Sequence, residues 1–243
     1  MRASEPTIAI LAGGLATRLR PLTDEVPKAL VPVAGQPFLA HQLALVRASG
    51  IRSVVLCVGY RGEMIEAQFG DGRAYGVALQ YSYDGPELLG TGGALYKALP
   101  LLSDPFLVMY GDSYLRCNYA AIYDEFLKQR ATHRPPPLGL MTVFHNAGQF
   151  DRSNVVFAEG RILVYDKHAH RPDMVYIDWG LSALTKEALA GHSAGEKFDL
   201  ADVLRALVQQ GRMSGYEVQE RFYEIGSPEG LQELNTLMRD THE

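Results

Sequence analysis

Between residues 7 and 112 the chain alternates short apolar runs with segments of helical spacing, and no other feature restricts its fold as much. "TIAIL", "RSVVLCVG" and "PFLVMYGD" read as buried strands, and "VALQYSY" alternates as a half-buried strand does. Between them stand "PFLAHQLALVRASG", with a proline start and a glycine stop, then "GEMIEAQFG" and "TGGALYKALPLL". Strands separated by helices of this length pair through right-handed crossovers into a mainly parallel sheet. In such sheets ligands lie beyond the C-terminal strand ends, where the glycines after Leu11 and the acid after "FLVMYG" would both emerge.

The second half is strand-rich: "PPPLGLMTVF", "NVVFAEGRILVYD" and "DMVYIDWGLSAL", with Glu159-Gly160 as a hairpin signal. "DLADVLRALVQQ", capped by Asp199, and "SPEGLQELNTLMRD", opening on Ser227-Pro228, read as helices. "RATHRPPPLG" is the one stretch of linker composition, and no repeat is visible. The fold expected is α/β, a Rossmann-like three-layer sandwich on a mainly parallel mixed central sheet, as one domain over 1–243. It divides into a first part of about 1–118, a strand-rich part of about 119–226 and a C-terminal helix 227–243. A chain of 243 residues can bury roughly 70–75% of its unfolded surface, enough for a real core.

Twenty-three Lys and Arg stand against 28 Asp and Glu, a net charge of −5 that argues against a nucleic-acid-binding surface. The N-terminus "MRASEPTIAILAGG" is too short in apolar residues for a signal sequence or a membrane span. Cys57 and Cys117 are expected as free thiols, and the chain as cytoplasmic.

The stretch "LAGGLATRLRPLTDEVPKAL", residues 11–30, is built to hold an anion. Gly13 and Gly14 let backbone N–H groups approach a phosphate, Arg18 can grip its oxygens bidentately, and Lys28 adds a point charge. The spacing is neither the dinucleotide G-x-G-x-x-G nor a Walker loop.

These residues, with "PKALVPVAGQPFL", "ELLGTGGAL" (87–95), "FLVMYGDSYL" (106–115) and "FYEIGSPEGL" (222–231), resemble the motifs of sugar-1-phosphate nucleotidylyltransferases, in order and nearly end to end. That family's loop runs G-G-x-G-T-R-L-x-P-L-T, then P-K-P/A-L. The short form resembles members acting on heptose 1-phosphate with GTP and on N-acetylmuramate 1-phosphate with UTP.

The resemblance implies attack of a sugar-1-phosphate oxygen on the α-phosphorus of an NTP, expelling pyrophosphate. Arg18 would hold the leaving pyrophosphate and Lys28 the phosphates at the reacting centre. Leu11, Ala12, Gly13 and Gly14, with Leu89, Gly90, Thr91 and Gly92, would bind the nucleotide. The Gly92-Gly93 pair would open a helix and offer its N–H groups. Asp112 and Glu224 would hold Mg²⁺, and Lys167, Asp178 and Gly180 the sugar phosphate. The partners implied are an NTP, GTP or UTP, and a sugar 1-phosphate; a homodimer is left open.

Two positions depart from the family pattern. Glu224 stands where the family has Asp, with an arm longer by about 1.5 Å, so the backbone sits farther back or the acid reaches the metal through water. Ala16 stands where the family has glycine, so it must tolerate φ < 0 or bear strain of about 1–2 kcal/mol. Both departures favour an alternative, a non-catalytic nucleotide-sugar-binding regulatory subunit. Retention of Arg18, Lys28 and Asp112 favours the enzyme. Trp179 is read as core filler, and His168 and His170 as solvated loop histidines.

Overall fold

The structure, a computed structural model, describes residues 5–169 and 171–240. The first half forms strands β1 (Thr7–Leu11), β2 (Pro32–Val33), β3 (Gln36–Pro37), β4 (Ser53–Val58), β5 (Ala78–Tyr83), β6 (Phe106–Tyr110) and β7 (Ser113–Tyr114). Helices α1 (Phe38–Ala48), α2 (Gly62–Phe69) and α3 (Gly90–Ala98) connect them. The second half adds α4 (Tyr119–Thr132), β8 (Gly139–His145), β9 (Val155–Ala158), β10 (Arg161–Tyr165), β11 (Tyr176–Leu184), α5 (Leu200–Gln209), β12 (Met213–Val218), β13 (Tyr223–Glu224) and α6 (Pro228–Asp240).

Among the described residues one sheet of nine strands runs β5-β4-β1-β6-β11-β8-β12-β10-β9. The first four pair in parallel, as the alternation of strand and helix requires. β11 is antiparallel to both β6 and β8, β12 is parallel to β8, and the β9–β10 hairpin closes the far edge. Chain direction from β1 runs to β4 on one side and β6 lies on the other, which makes the β1/β6 crevice a topological switch point.

Strand parity sorts the core into two layers. Ile8, Ile10, Val54 and Leu56 face Leu39 and Leu43 of α1, Ile65 of α2 and Phe126 of α4. Ala9, Val55, Cys57 and Val108 face Leu95 of α3 and Leu204 of α5. The result is the three-layer arrangement. A third cluster of Val31, Val33, Phe38, Ile225, Leu234 and Met238 seats α6 on the β2–β3 hairpin, where Asn235 Oδ1 accepts the Ala34 N–H at 2.8 Å.

Glu159 and Gly160 both adopt left-handed φ, 51° and 74°, matching a two-residue turn of the I′ kind. Asp199 caps α5 by accepting the Ala201 N–H, and Ser227 Oγ accepts the Gly230 N–H at the start of α6. Neither Cys57 nor Cys117 is in a disulfide. No helix among the described residues is long and apolar enough to cross a membrane.

Six elements escape the sequence reading: the two-residue strands β2, β3, β7 and β13, the helix α4 and the strand β12. α4 buries Tyr119, Ile122, Tyr123 and Phe126 in an i, i+3, i+4, i+7 stripe, but its end runs into "RAT", the start of the stretch of linker composition. That stretch is tethered: Arg130 Nη1 donates to Pro137 O at 2.5 Å and Arg212 Nε to Pro136 O at 2.9 Å. β12 is masked by its Ser214-Gly215 step; a Cβ at Gly215 would lie 2.5 Å from the Phe157 ring, so the strand needs glycine there.

Candidate active site

The loop after β1 is pressed between two neighbouring strand ends. Ala12 N donates to Cys57 O at 2.8 Å, Tyr60 N to Gly13 O at 3.2 Å and Gly111 N to Leu11 O at 3.0 Å. The approach is close enough that a Cβ on Gly111 would lie 2.4 Å from Leu11 O, and one on Gly13 would lie 3.0 Å from Gly59 N. Gly14 instead faces open space.

Beyond it Ala16 takes φ 50°, ψ 42°, so of the two alternatives for this alanine the strained one holds. Its carbonyl accepts from Thr23 Oγ1 (2.9 Å) and Leu19 N (3.0 Å), which keep the residue there. Ala16→Gly should therefore stabilise the fold, by about 0.5–1 kcal/mol after glycine's extra unfolded-state entropy is subtracted. A thermal melt showing a lower midpoint for the variant would contradict this.

Leu11, Ala12, Gly13 and Gly14 line a cavity of about 220 Å³ at the switch point, together with Lys28, Asp112, Gly90 and Thr91. Lys28 Nζ and Asp112 Oδ2 form an ion pair at 2.9 Å, largely withdrawn from solvent. Gln42, fully buried on α1, donates to Tyr110 O (3.3 Å) and Ser113 O (2.9 Å) and so fixes the turn that carries Asp112.

Glu224 comes from the other end of the chain. The two-residue ribbon β7–β13 sets Glu224 opposite Ser113, and Ile225 N donates to Asp112 O at 3.0 Å. Burial pushes the Glu224 carboxyl above the usual range and the Asp112 charge adds to this, while Arg18 and Lys28 oppose it. Arg18, in the single turn Thr17–Leu19, meets Glu224 over Gly226: a Cβ there would lie 2.6 Å from Glu224 Oε2 and 2.8 Å from Arg18 Nη2. The four charged residues singled out in the sequence, far apart along the chain, thus share one locality.

The start of α3 differs from expectation at Gly92. Gly92 N and Gly93 N donate to Phe198 O at 3.0 and 3.3 Å, and a Cβ on Gly92 would lie 2.3 Å from the Phe198 ring. These glycines let the segment before α5 pack on α3, and their N–H groups are already spent. Thr91 Oγ1 donates to Asp199 Oδ1 (2.8 Å) and accepts from Leu200 N (2.9 Å), tying the same two helix starts. Leu89 is buried in the core.

Asp84 went unnoticed in the sequence, although it is the acid just past the end of β5 and the rule that picked Asp112 would have found it. It is 7% exposed and lines the cavity. Its Oδ2 accepts the Leu89 N–H at 3.2 Å, but its buried Oδ1 has no partner among the described residues. Burial raises its carboxyl pKa, opposed by the Leu89 N–H and by Lys97.

On the other side of Tyr110 lies a polar group from the second half. Lys167 Nζ donates to Tyr110 Oη at 3.3 Å and sits 5.0 Å from the ring centre. Asp178 accepts from Tyr165 Oη (3.2 Å) and Gly180 N (3.1 Å); burial raises its pKa and Lys167 offsets part of that. Gly180, at φ 100°, sits in the register shift of β11 and faces Ser113. Trp179 is buried and donates its Nε1–H to Glu220 O at 2.8 Å, as core filler should. Of the two histidines, His168 is exposed and His170 lies outside the described residues.

Residues 8–135 match the family model described as nucleotidyl transferase. The chain is 31% identical over 234 residues to the N-acetylmuramate alpha-1-phosphate uridylyltransferase of Neisseria meningitidis, covering 94% of this chain and 96% of that protein. It is 29% identical over 223 residues to the D-glycero-alpha-D-manno-heptose 1-phosphate guanylyltransferase of Aneurinibacillus thermoaerophilus, covering 90% and 93%. Among solved structures, HddC from Yersinia pseudotuberculosis complexed with GMP-PN shares the fold with a TM-score of 0.76 at 21% identity, over 96% of this chain and 99% of that one.

Proposed function

From the premise that this chain belongs to the nucleotidyl transferase family, we propose that it moves a nucleotidyl group from an NTP to a sugar 1-phosphate. The observation that carries this reading is that Lys28 and Asp112, which line the switch-point cavity, are joined by Glu224 and Arg18 beside them. A phosphate oxygen of the sugar 1-phosphate attacks the α-phosphorus. The bond from that phosphorus to the oxygen bridging the β-phosphate breaks, and pyrophosphate leaves. The attacking oxygen is already anionic, so no general base is required, and no histidine lines the cavity among the described residues. What the reaction needs is alignment of two anions and neutralisation of developing charge.

The glycine loop gives the triphosphate a backbone cradle, Arg18 grips the departing pyrophosphate and Lys28 meets oxygens around the α-phosphorus. Asp112 and Glu224 would hold Mg²⁺. Two close carboxylates, one raising the pKa of the other, suit a hard divalent cation that completes its shell with phosphate oxygens and water. Bound there, the ion would supply Lewis-acid polarisation of the phosphoryl oxygens. Lys167 takes the phosphate of the sugar, with Asp178 and Gly180 shaping the sugar's pocket.

Asp84 narrows the choice of base. An unpartnered buried carboxylate oxygen needs an N–H donor. Guanine and uracil present a ring N–H on the edge where adenine and cytosine present a ring acceptor that would meet the carboxylate less well, which favours GTP or UTP as the donor substrate. Pyrophosphate release measured with four NTPs and a panel of sugar 1-phosphates, with and without Mg²⁺, tests the reading. Turnover should require the metal and favour GTP or UTP, and Asp84→Asn should cut that preference by roughly 10–100-fold, the worth of a hydrogen bond to a charged group. No turnover with any pair, alongside tight nucleotide-sugar binding, would mark the chain as a binding subunit instead.

A further inference from the structure

We propose that Tyr60 and Arg61, separated from the end of β4 by one residue, form a positioning clamp that holds the phosphate-gripping loop in its binding-ready shape; the proposal rests on the nucleotidyl-transfer reading of that loop. The clamp touches both ends of the loop. At one end Tyr60 N donates to Gly13 O at 3.2 Å. At the other, Tyr60 Oη donates to Asp24 O at 3.0 Å, Arg61 Nη2 to the same carbonyl at 2.9 Å and Arg61 Nη1 to Glu25 O at 2.7 Å. Arg61 Nε donates to Tyr60 Oη at 2.9 Å, which locks the two side chains to each other. The residues between these ends carry Arg18, and Lys28 follows Glu25 by three positions.

Two further observations favour a positioning role over a surface ion pair. The guanidinium binds main-chain carbonyls and no carboxylate, since the Asp24 side chain pairs with Arg20 at 3.1 Å instead. Only a planar fork reaches two successive carbonyls and a phenol at once; an ammonium of equal charge does not. Arg61 also holds φ 53°, ψ 34°, a left-handed conformation that side chains disfavour and that persists where its surroundings fix it. The hydrophobic core of this region is formed by other residues, Val54, Leu56, Val58, Ile65 and Phe69, and includes neither Tyr60 nor Arg61.

The test compares Arg61→Ala and Arg61→Lys with the wild-type protein by steady-state kinetics, thermal melting and limited trypsin digestion after Arg18. Both variants should raise KM for the NTP and lower kcat, with a combined loss of roughly 10–100-fold, as a misplaced binding group does. KM for the sugar 1-phosphate should stay within about twofold, since the clamp does not touch that side. Cleavage after Arg18 should be faster in both variants while their melting midpoints stay near the wild-type value. Tyr60→Phe, which removes one bond to Asp24 and the partner of Arg61 Nε, should fall between. Equal losses for both substrates, full activity in Arg61→Lys, or unchanged cleavage after Arg18 would overturn the clamp. Failure of the wild-type protein to turn over any substrate pair would sink the nucleotidyl-transfer reading instead, and the digestion would still report on the clamp.

Discussion

Asp112→Asn should abolish pyrophosphate release, a loss of about 10³-fold or more, while the protein stays folded. The side chain would keep its size and lose the charge that pairs with Lys28 at 2.9 Å and that would hold the metal. The backbone contribution survives, because Asp112 O still accepts the Ile225 N–H and β7 still pairs with β13. The stability cost is the ion pair alone, about 1 kcal/mol for a partly exposed pair. Circular dichroism melts alongside the pyrophosphate assay separate the two effects. Near-normal turnover in the variant would remove Asp112 from the metal site.

Glu224→Ala carries the second-largest expected loss, about 10²–10³-fold in kcat, comparable to deleting one charge-stabilising group at a reacting centre. Glu224 is half-buried between Asp112 and Arg18, so its removal takes away one of two carboxylates and unbalances Arg18 as well. Glu224→Asp is the sharper experiment, since it keeps the charge and shortens the arm by about 1.5 Å. The ribbon β7–β13 fixes the backbone at position 224, so a shorter arm can act through a bridging water; activity should stay within roughly tenfold of wild type. If Glu224→Asp is as damaging as Glu224→Ala, the carboxylate acts only at the reach that glutamate gives.

Much of the site was legible because its chemistry is local in the chain. Gly13, Gly14, Arg18 and Lys28 fall within sixteen residues, and Asp112 sits directly past a strand end, so strand direction alone sends these groups to one edge. The clamp residues were not legible, because nothing in "GYRG" states what they face; Arg61 matters through carbonyls thirty-six and thirty-seven residues away. Asp84 was legible by the same strand-end rule as Asp112, but "YSYDG" does not state which of its oxygens is buried. Gly92 misled for the opposite reason. A glycine at a helix start reads as an open N–H, and only the packing of Phe198 shows that the group is occupied.

Periodicity by itself determined the parallel half of the sheet, the sorting of its faces and the edge where a ligand must lie, since each follows from the alternation of short apolar runs with helices. The identity of the charged groups pointed to an anionic ligand. The tertiary structure alone decided which groups meet. It brings Glu224 to Asp112 through a ribbon of two residues per strand, too short to register as a pattern. It holds Ala16 at φ 50° through bonds from Thr23 and Leu19, and leaves Asp84 Oδ1 buried without a partner among the described residues. Each of these depends on three-dimensional contacts, some between segments distant in the chain, which composition and spacing do not encode.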